Sequence, residues 1–176
     1  MRPHNVLMAV EEHRRTSPAS VRCAVLTISD TRTQNTDTGG GAIVEILKEE
    51  GHTVVARGLV RDEPEDIRSA LDEFLAQEAV QVVLATGGTG ISRRDSTFEV
   101  VDALLDKRLD GFGELFRMLS YTEIGPAAML SRACAGVARG RIVVALPGSE
   151  TAVRFALRTL LLPELGHLVR EVTRQD

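Results

Sequence analysis

The chain has 176 residues, 43% apolar and 26% charged, with a net charge of −4. That is enough apolar material for one packed domain, while the acidic balance and the absence of a basic cluster argue against a general nucleic-acid binder. With 3% aromatic residues and no Trp there is no base-stacking platform, and no apolar run approaches the roughly 20 residues of a membrane span.

The N-terminus, MRPHNVLMAVEEHRR, is charged and lacks the apolar core and cleavage site of a signal peptide. Residues 1–20 read as a polar arm, in which Val6, Leu7 and Val10 can face one side of a short helix. Residues 21–176 read as a single α/β domain. Cys23 and Cys134, with no pairing pattern between them, read as reduced, packed thiols, and the expected location is cytoplasmic.

Val21 to Ile28 is the first expected strand, and it runs into Ser29-Asp30-Thr31-Arg32. Asp37 and Thr38 then cap a helix from Gly39 to Glu50, which Gly51 stops. A second strand covers His52 to Val60 and ends in Arg61-Asp62-Glu63. Pro64 opens a helix through Gln77, with Ile67, Leu71, Phe74 and Leu75 on one face.

The third strand, starting at Val80, is a continuous apolar run of the kind buried on both faces. It breaks into Thr86-Gly87-Gly88-Thr89-Gly90, where glycines let backbone N–H groups turn toward a ligand. Arg93 and Arg94 follow, then Asp95-Ser96-Thr97, an N-cap signal for a helix carrying Phe98, Val101, Leu104 and Leu105. Residues 107–134 predict two short helices divided at Gly125-Pro126. A hairpin over 136–141 leads into the strand Ile142 to Leu146. Pro147-Gly148-Ser149 then precedes a helix from Glu150 to Val172, interrupted at Pro163.

Strands alternating with helices predict a three-layer α/β/α fold with a mostly parallel sheet. Ligands bind such sheets outside the carboxyl ends of the strands. Right-handed crossovers gather Ser29-Asp30, Asp62-Glu63, the glycine loop and Pro147-Gly148-Ser149 on one edge.

The glycine loop lacks the Gly-Lys-Ser/Thr of a P-loop and the third glycine of the dinucleotide fingerprint. It remains able to hold a phosphate through its amides and the following helix N-terminus. Pro147-Gly148-Ser149 can supply a second amide cluster. Asp62 and Asp95 are the acids best placed to hold Mg²⁺ over phosphates. Each has a plainer alternative: Asp62, with Glu63 and Glu65, can favour a helix N-terminus, and Asp95 can be only an N-cap. No histidine stands at a strand end as a base, and no Cys/His spacing suits zinc. Positioning and metal fit nucleotidyl or phosphoryl transfer.

Six motifs occur in order: Thr27-Ile28-Ser29-Asp30-Thr31-Arg32, Thr86-Gly87-Gly88-Thr89-Gly90, Arg94-Asp95-Ser96-Thr97, Gly111 to Arg117 (GFGELFR), Leu130-Ser131-Arg132-Ala133 and Leu146-Pro147-Gly148-Ser149. Over residues 20–170 the chain resembles the MoaB/MogA family of molybdenum cofactor biosynthesis proteins, relatives of the gephyrin G domain, and the MoaB branch more than the MogA branch. The resemblance implies adenylylation of molybdopterin: AMP passes from Mg-ATP to the pterin's terminal phosphate and pyrophosphate leaves. It assigns catalysis to Asp62 and Asp95, with Asp62 holding Mg²⁺. Nucleotide and phosphate binding fall to Gly87, Gly88, Thr89, Gly90, Pro147, Gly148 and Ser149. The remaining pocket positions are Ser29, Asp30, Ser96, Thr97, Glu114, Ser131 and Arg132. It also implies a homo-oligomer, trimer or hexamer, with Phe112, Phe116, Leu119 and Met129 as contact or core residues, and other proteins of the pathway as partners. After Leu-Pro-Gly the MogA and gephyrin pattern is Asn or Gln, then Pro, whereas this chain has Ser149-Glu150-Thr151. The alternative reading is a non-catalytic molybdopterin-binding or scaffold protein.

Overall fold

A computed structural model describes residues 14–174. Six strands form one sheet in the order β2-β1-β3-β6-β5-β4. They are β1 (Arg22–Ile28), β2 (Thr53–Val60), β3 (Val82–Thr86), β4 (Lys107–Arg108), β5 (Cys134–Ala138) and β6 (Arg141–Leu146). β1 is parallel to β2 and β3, β3 is parallel to β6, and only the β4–β5–β6 edge runs antiparallel. The expected α/β architecture with a mostly parallel sheet is the one observed.

Alternation along the strands builds the layers, since successive side chains leave opposite faces of a sheet. Cys23, Val25, Val82, Leu84, Ile142 and Val144 face one core. That core is closed by α1 (Thr38–Glu49), α4 (Asp110–Ile124), α5 (Glu150–Ala156) and α6 (Leu165–Thr173). Ala24, Leu26, Val83, Ala85, Val143 and Ala145 face the other, closed by α2 (Pro64–Ala76) and α3 (Thr97–Leu104). Both faces of β3 are buried, so its apolar pattern does not alternate.

Two segments differ from the sequence expectation. Gly125 ends α4 with φ 60°, and the chain continues as a 3₁₀ turn over Gly125–Leu130 rather than a second α-helix. Cys134–Ala138 is a strand paired with β6; its small residues, Cys-Ala-Gly-Val-Ala, carry little strand propensity, and pairing supplies what propensity lacks. Gly136 is needed there, because a Cβ would lie 2.3 Å from the Lys107 carbonyl of the neighbouring strand. The last helix is interrupted as expected, through a π segment at Leu157–Leu161 and a 3₁₀ turn at Leu162–Glu164 containing Pro163.

Of the arm, residues 1–13, with the helix expected around Val6, lie outside the described residues. Ser20 ties the following segment down by donating its hydroxyl to the Gly51 carbonyl at 2.8 Å. Phe116 lies in the core, whereas Met129 is 77% exposed.

Candidate active site

The four parallel strands end at one level. Thr27 of β1, Thr86 of β3 and Leu146 of β6 are in register, and Ile28 faces Val60 of β2. Each following loop therefore starts from the same edge, and backbone bonds fix the starts: Ser29 N donates to the Val60 carbonyl at 2.9 Å and Gly87 N to the Leu146 carbonyl at 3.1 Å. The Thr86 hydroxyl donates to the Pro147 carbonyl at 2.8 Å, joining the β3 and β6 loops.

At the glycine loop, close packing dictates composition. Gly87 has φ 101°, and a Cβ there would meet the Ile28 carbonyl at 2.2 Å. Gly88 has φ 62°, and a Cβ would come within 2.4 Å of both Asp62 Oδ2 and Thr97 Oγ1. The glycines thus let the loop lie against the ends of β1 and β2.

A cavity of about 350 Å³ opens there, lined by Gly88, Thr89, Gly90, Asp95, Ser131, Pro147, Gly148 and Ser149. Its apolar wall comes from α4 and the turn after it, through Phe116, Ser120, Ile124 and Leu130. Phe116 and Leu130 belong to motifs singled out in the sequence, whereas Ser120 and Ile124 do not; the only signal for Ser120 is a small polar residue that is buried on α4. Larger hollows lie between α2 and α3 and at the opposite sheet edge around His52. Neither holds the glycine loop.

Behind the loop is a polar network centred on Asp62, which is 8% exposed. Asp62 Oδ1 accepts from Ser96 N at 3.1 Å and Ser96 Oγ at 3.0 Å. Asp62 N donates to Asp30 Oδ1 at 3.1 Å. Arg94 reaches Asp30 Oδ2 and Glu63 Oε1, both at 2.9 Å. Burial pushes the Asp62 carboxyl above the usual carboxylate range; the Ser96 hydrogen bonds oppose this, and Asp95 and Asp30 add to it. Asp30 goes the other way, held down by the Asp62 N–H and by Arg94.

These contacts settle how the acids are used locally. Asp62 does serve a helix N-terminus, but that of α3, across the sheet edge, rather than α2. Asp95 does not cap α3. It closes a tight turn, accepting from Ser92 N at 2.8 Å through Oδ2, and stands beside Gly90 in the cavity. Ser96 occupies the cap position and turns its hydroxyl to Asp62 instead.

The other expected pocket residues are dispersed. Ser29 Oγ accepts from Thr31 N and Arg32 N, closing its own turn. Thr97 Oγ1 is buried without a partner beside Asp62 and Gly88. Glu114 lines a separate hollow of about 240 Å³ with Arg117 and Phe98. Arg132 contacts the glycine loop's carbonyls. Ser149 caps α5, accepting from Ala152 N at 3.2 Å, and lines the cavity as well.

Among the described residues no three His, Cys, Asp or Glu side chains form a ready metal cage. The donor set nevertheless fits Mg²⁺, which takes one or two carboxylates and fills its shell with water and phosphate oxygens. Asp62 Oδ2 is turned toward Gly88, next to the unpartnered Thr97 hydroxyl. A cation there would relieve the clustered negative charge of Asp62, Asp95 and Asp30.

Residues 24–167 match the family described as a probable molybdopterin binding domain. The chain is 52% identical to molybdenum cofactor biosynthesis protein B of Bacillus cereus, over 96% of this chain and 100% of that one. The tungsten cofactor synthesizing protein MoaB of Pyrococcus furiosus superposes with a TM-score of 0.81 at 37% identity, covering 90% of this chain and 100% of that one. The molybdopterin biosynthesis Mog protein of Mycobacterium ulcerans gives 0.77 at 28% identity, covering 87% and 99%. With the MoaB proteins more similar in both sequence and fold, the chain belongs to the MoaB/MogA family, on its MoaB side.

Proposed function

We propose that the protein acts in molybdenum cofactor biosynthesis by adenylylating molybdopterin with Mg-ATP. The observation that carries this reading is the meeting of the glycine loop, Asp95 and the Pro147–Ser149 turn around a cavity of about 350 Å³ at one sheet edge, with Asp62 behind the loop and its Oδ2 turned toward Gly88. The pathway role is supported by the relatives' descriptions, molybdenum cofactor biosynthesis protein B above all.

In this reading the amides of Gly88 to Gly90 and of the Pro147–Ser149 turn hold phosphate oxygens. Asp62 and Asp95 would hold and position Mg²⁺, which supplies charge neutralisation on the phosphates when bound. A terminal phosphate oxygen of the pterin attacks the α-phosphorus of ATP, the bond to the β-phosphate oxygen breaks, and pyrophosphate leaves with that electron pair. The chain contributes orientation rather than covalent chemistry, so catalysis is positioning plus electrostatics. The apolar wall of Phe116, Ile124 and Leu130 suits the flat face of a base or pterin.

The protein is also proposed to work as a homo-oligomer. Leu115, Met118, Tyr121 and Ile124 recur every third residue along α4 and are all at least 46% exposed. Met129 and Leu130 extend that apolar face. Such a patch fits a second copy better than water.

The second reading is a molybdopterin-binding or scaffold protein without turnover, favoured by one feature: Ser149 is occupied in capping α5, where MogA proteins carry Asn or Gln. Incubating the pure protein with molybdopterin and Mg-ATP separates the two. Adenylylated pterin and pyrophosphate are expected; pterin binding without pyrophosphate leaves the scaffold reading.

A further inference from the structure

The guanidinium of Arg132 is engaged on every side, by two main-chain carbonyls of the glycine loop, a carboxylate and an aromatic ring. Nε donates to the Thr89 carbonyl at 3.1 Å, and Nη2 donates to the Gly90 carbonyl. Nη1 and Nη2 pair with Glu99. The flat face lies 5.1 Å from the centroid of the Phe98 ring. Glu99 and Phe98 belong to α3, so the rigid helix that follows the glycine loop holds the arginine, and the arginine holds the loop.

The consequence follows from peptide geometry. None of these peptide bonds is cis, and in a trans peptide the N–H points opposite the carbonyl. With the Thr89 and Gly90 carbonyls turned onto Arg132, the N–H groups of Gly90 and Ile91 point away from it, toward the side on which Gly90 lines the cavity. Neither amide meets a protein acceptor among the described residues. Thr89, only 4% exposed, anchors the stretch to the interior, and Ile91, 71% exposed, brings it to the surface, so the two donors without a protein acceptor are available to a ligand.

We propose that Arg132 is a positioning residue: it fixes two consecutive carbonyls on the outside of the glycine loop and thereby aims the Gly90 and Ile91 amides at phosphate oxygens of the ligand. This rests on the reading of the cavity as a nucleotide-phosphate site. A forked, planar cation is required, because a single ammonium cannot span two carbonyls and a carboxylate at fixed angles.

The test uses the full chain labelled with ¹⁵N, as wild type, Arg132→Lys, Arg132→Gln and Glu99→Gln, with inorganic pyrophosphate and ATP as probes. In the ligand-free Arg132 variants the Gly90 and Ile91 amide resonances move and their hydrogen exchange quickens, while distant β1 and β6 amides stay in place. Pyrophosphate affinity falls about tenfold, the scale of a lost charge-assisted hydrogen bond. KM for ATP rises by a similar factor while kcat changes much less. Glu99→Gln moves the same resonances by less and keeps the comparison available if Arg132→Gln folds poorly. In a further variant, Arg132→Ala, added methylguanidinium restores pyrophosphate binding. Unchanged Gly90 and Ile91 amides, or pyrophosphate affinity equal to wild type in Arg132→Gln, overturn the positioning role. A wild type that binds neither pyrophosphate nor ATP overturns the nucleotide reading instead, and the ligand-free resonances then decide the role of Arg132 alone.

Discussion

Ser96 gives both its backbone N–H and its hydroxyl to the same oxygen of Asp62, at 3.1 and 3.0 Å. One carboxylate oxygen is thereby committed to the start of α3, and the other is left facing Gly88. Asparagine at position 62 would keep an acceptor for Ser96 and remove the charge. Because burial raises the Asp62 carboxyl above its ordinary value, the folded protein retains that proton longer than the unfolded chain does. This contribution to stability is full below the ordinary carboxylate range and is lost as pH rises through the raised one. Asp62→Asn is therefore expected to unfold at a higher temperature than wild type at neutral pH, with the gap closing as pH is lowered. It is also expected to lose AMP transfer, since the metal-facing charge is gone. Thermal unfolding across pH, beside the pyrophosphate-release assay, checks both. Lower neutral-pH stability in the variant would mean that the ionised form is the one the fold favours.

Turnover itself should follow the same group. If ionised Asp62 holds Mg²⁺, activity falls as pH drops through its raised value, at a higher pH than an ordinary aspartate would show. Ser96→Ala removes one of the hydrogen bonds that hold the carboxylate down. The acid limb of the pH–rate profile should then move further toward neutrality, with a stability cost of about 1 kcal/mol for the lost bond. An acid limb that does not move would separate Asp62 from the rate-determining ionisation.

The glycine loop makes a paired test. A methyl at Gly88 would be strained by a φ of 62° and would lie 2.4 Å from Asp62 Oδ2 and Thr97 Oγ1. Gly88→Ala should destabilise by about 1–3 kcal/mol and displace Asp62, eliminating turnover. Gly41 lies inside α1 with nothing within 4 Å of the Cβ position, so Gly41→Ala should stabilise by about 0.5–1 kcal/mol. Denaturant midpoints read the opposite signs directly.

The three layers and the shared sheet edge were legible because apolar periodicity and strand-ending polar loops are local properties. Residues Thr86 to Gly90 and Pro147 to Ser149 could be placed together from topology alone. The partners of Asp62 could not. That Asp62 serves α3 rather than α2 depends on where the β2 and β3 ends sit in space, which no local pattern encodes. Arg132 shows the same limit: its motif position suggested a pocket wall, while its guanidinium turns to carbonyls 42 and 43 residues away in sequence. The hairpin expected over 136–141 is present, but its first strand reaches back to Cys134 and pairs with both β4 and β6, an extent that its weak propensity hid.

Asp37 is 5% exposed and accepts from Thr27 Oγ1, Gly40 N and Arg57 Nη2 at 2.7, 2.8 and 2.9 Å. Burial pushes its carboxyl up, but these hydrogen bonds outweigh burial and leave it below the ordinary value. Its contribution is thus present above the ordinary carboxylate range and is lost as pH falls through the lowered one. Asp37→Ala would strand Arg57, Thr27 and the first turn of α1, at a cost of about 2–3 kcal/mol. The wild type should approach the variant in stability only in strong acid. Urea unfolding at neutral and acidic pH measures the gap, and a pH-independent difference would point to lost packing rather than lost charge.

The exposed stripe on α4 allows assembly to be tested apart from chemistry. Met118 is 58% exposed and does not line the cavity, so Met118→Glu places a charge in the proposed interface and leaves the site's own residues intact. Burying that charge against a second copy without a partner would cost several kcal/mol, enough to dissociate the assembly at micromolar concentration. Light scattering is expected to give the mass of the oligomer for wild type and of the 19.1 kDa chain for the variant, with little change in thermal midpoint beyond its concentration dependence. Ile124 and Leu130 border the cavity and are themselves exposed. Dissociation should therefore also weaken ligand binding, although no residue of the site has been altered. An unchanged mass in the variant would take this face out of the interface, and an unchanged affinity in a dissociated variant would show that one copy completes the site alone.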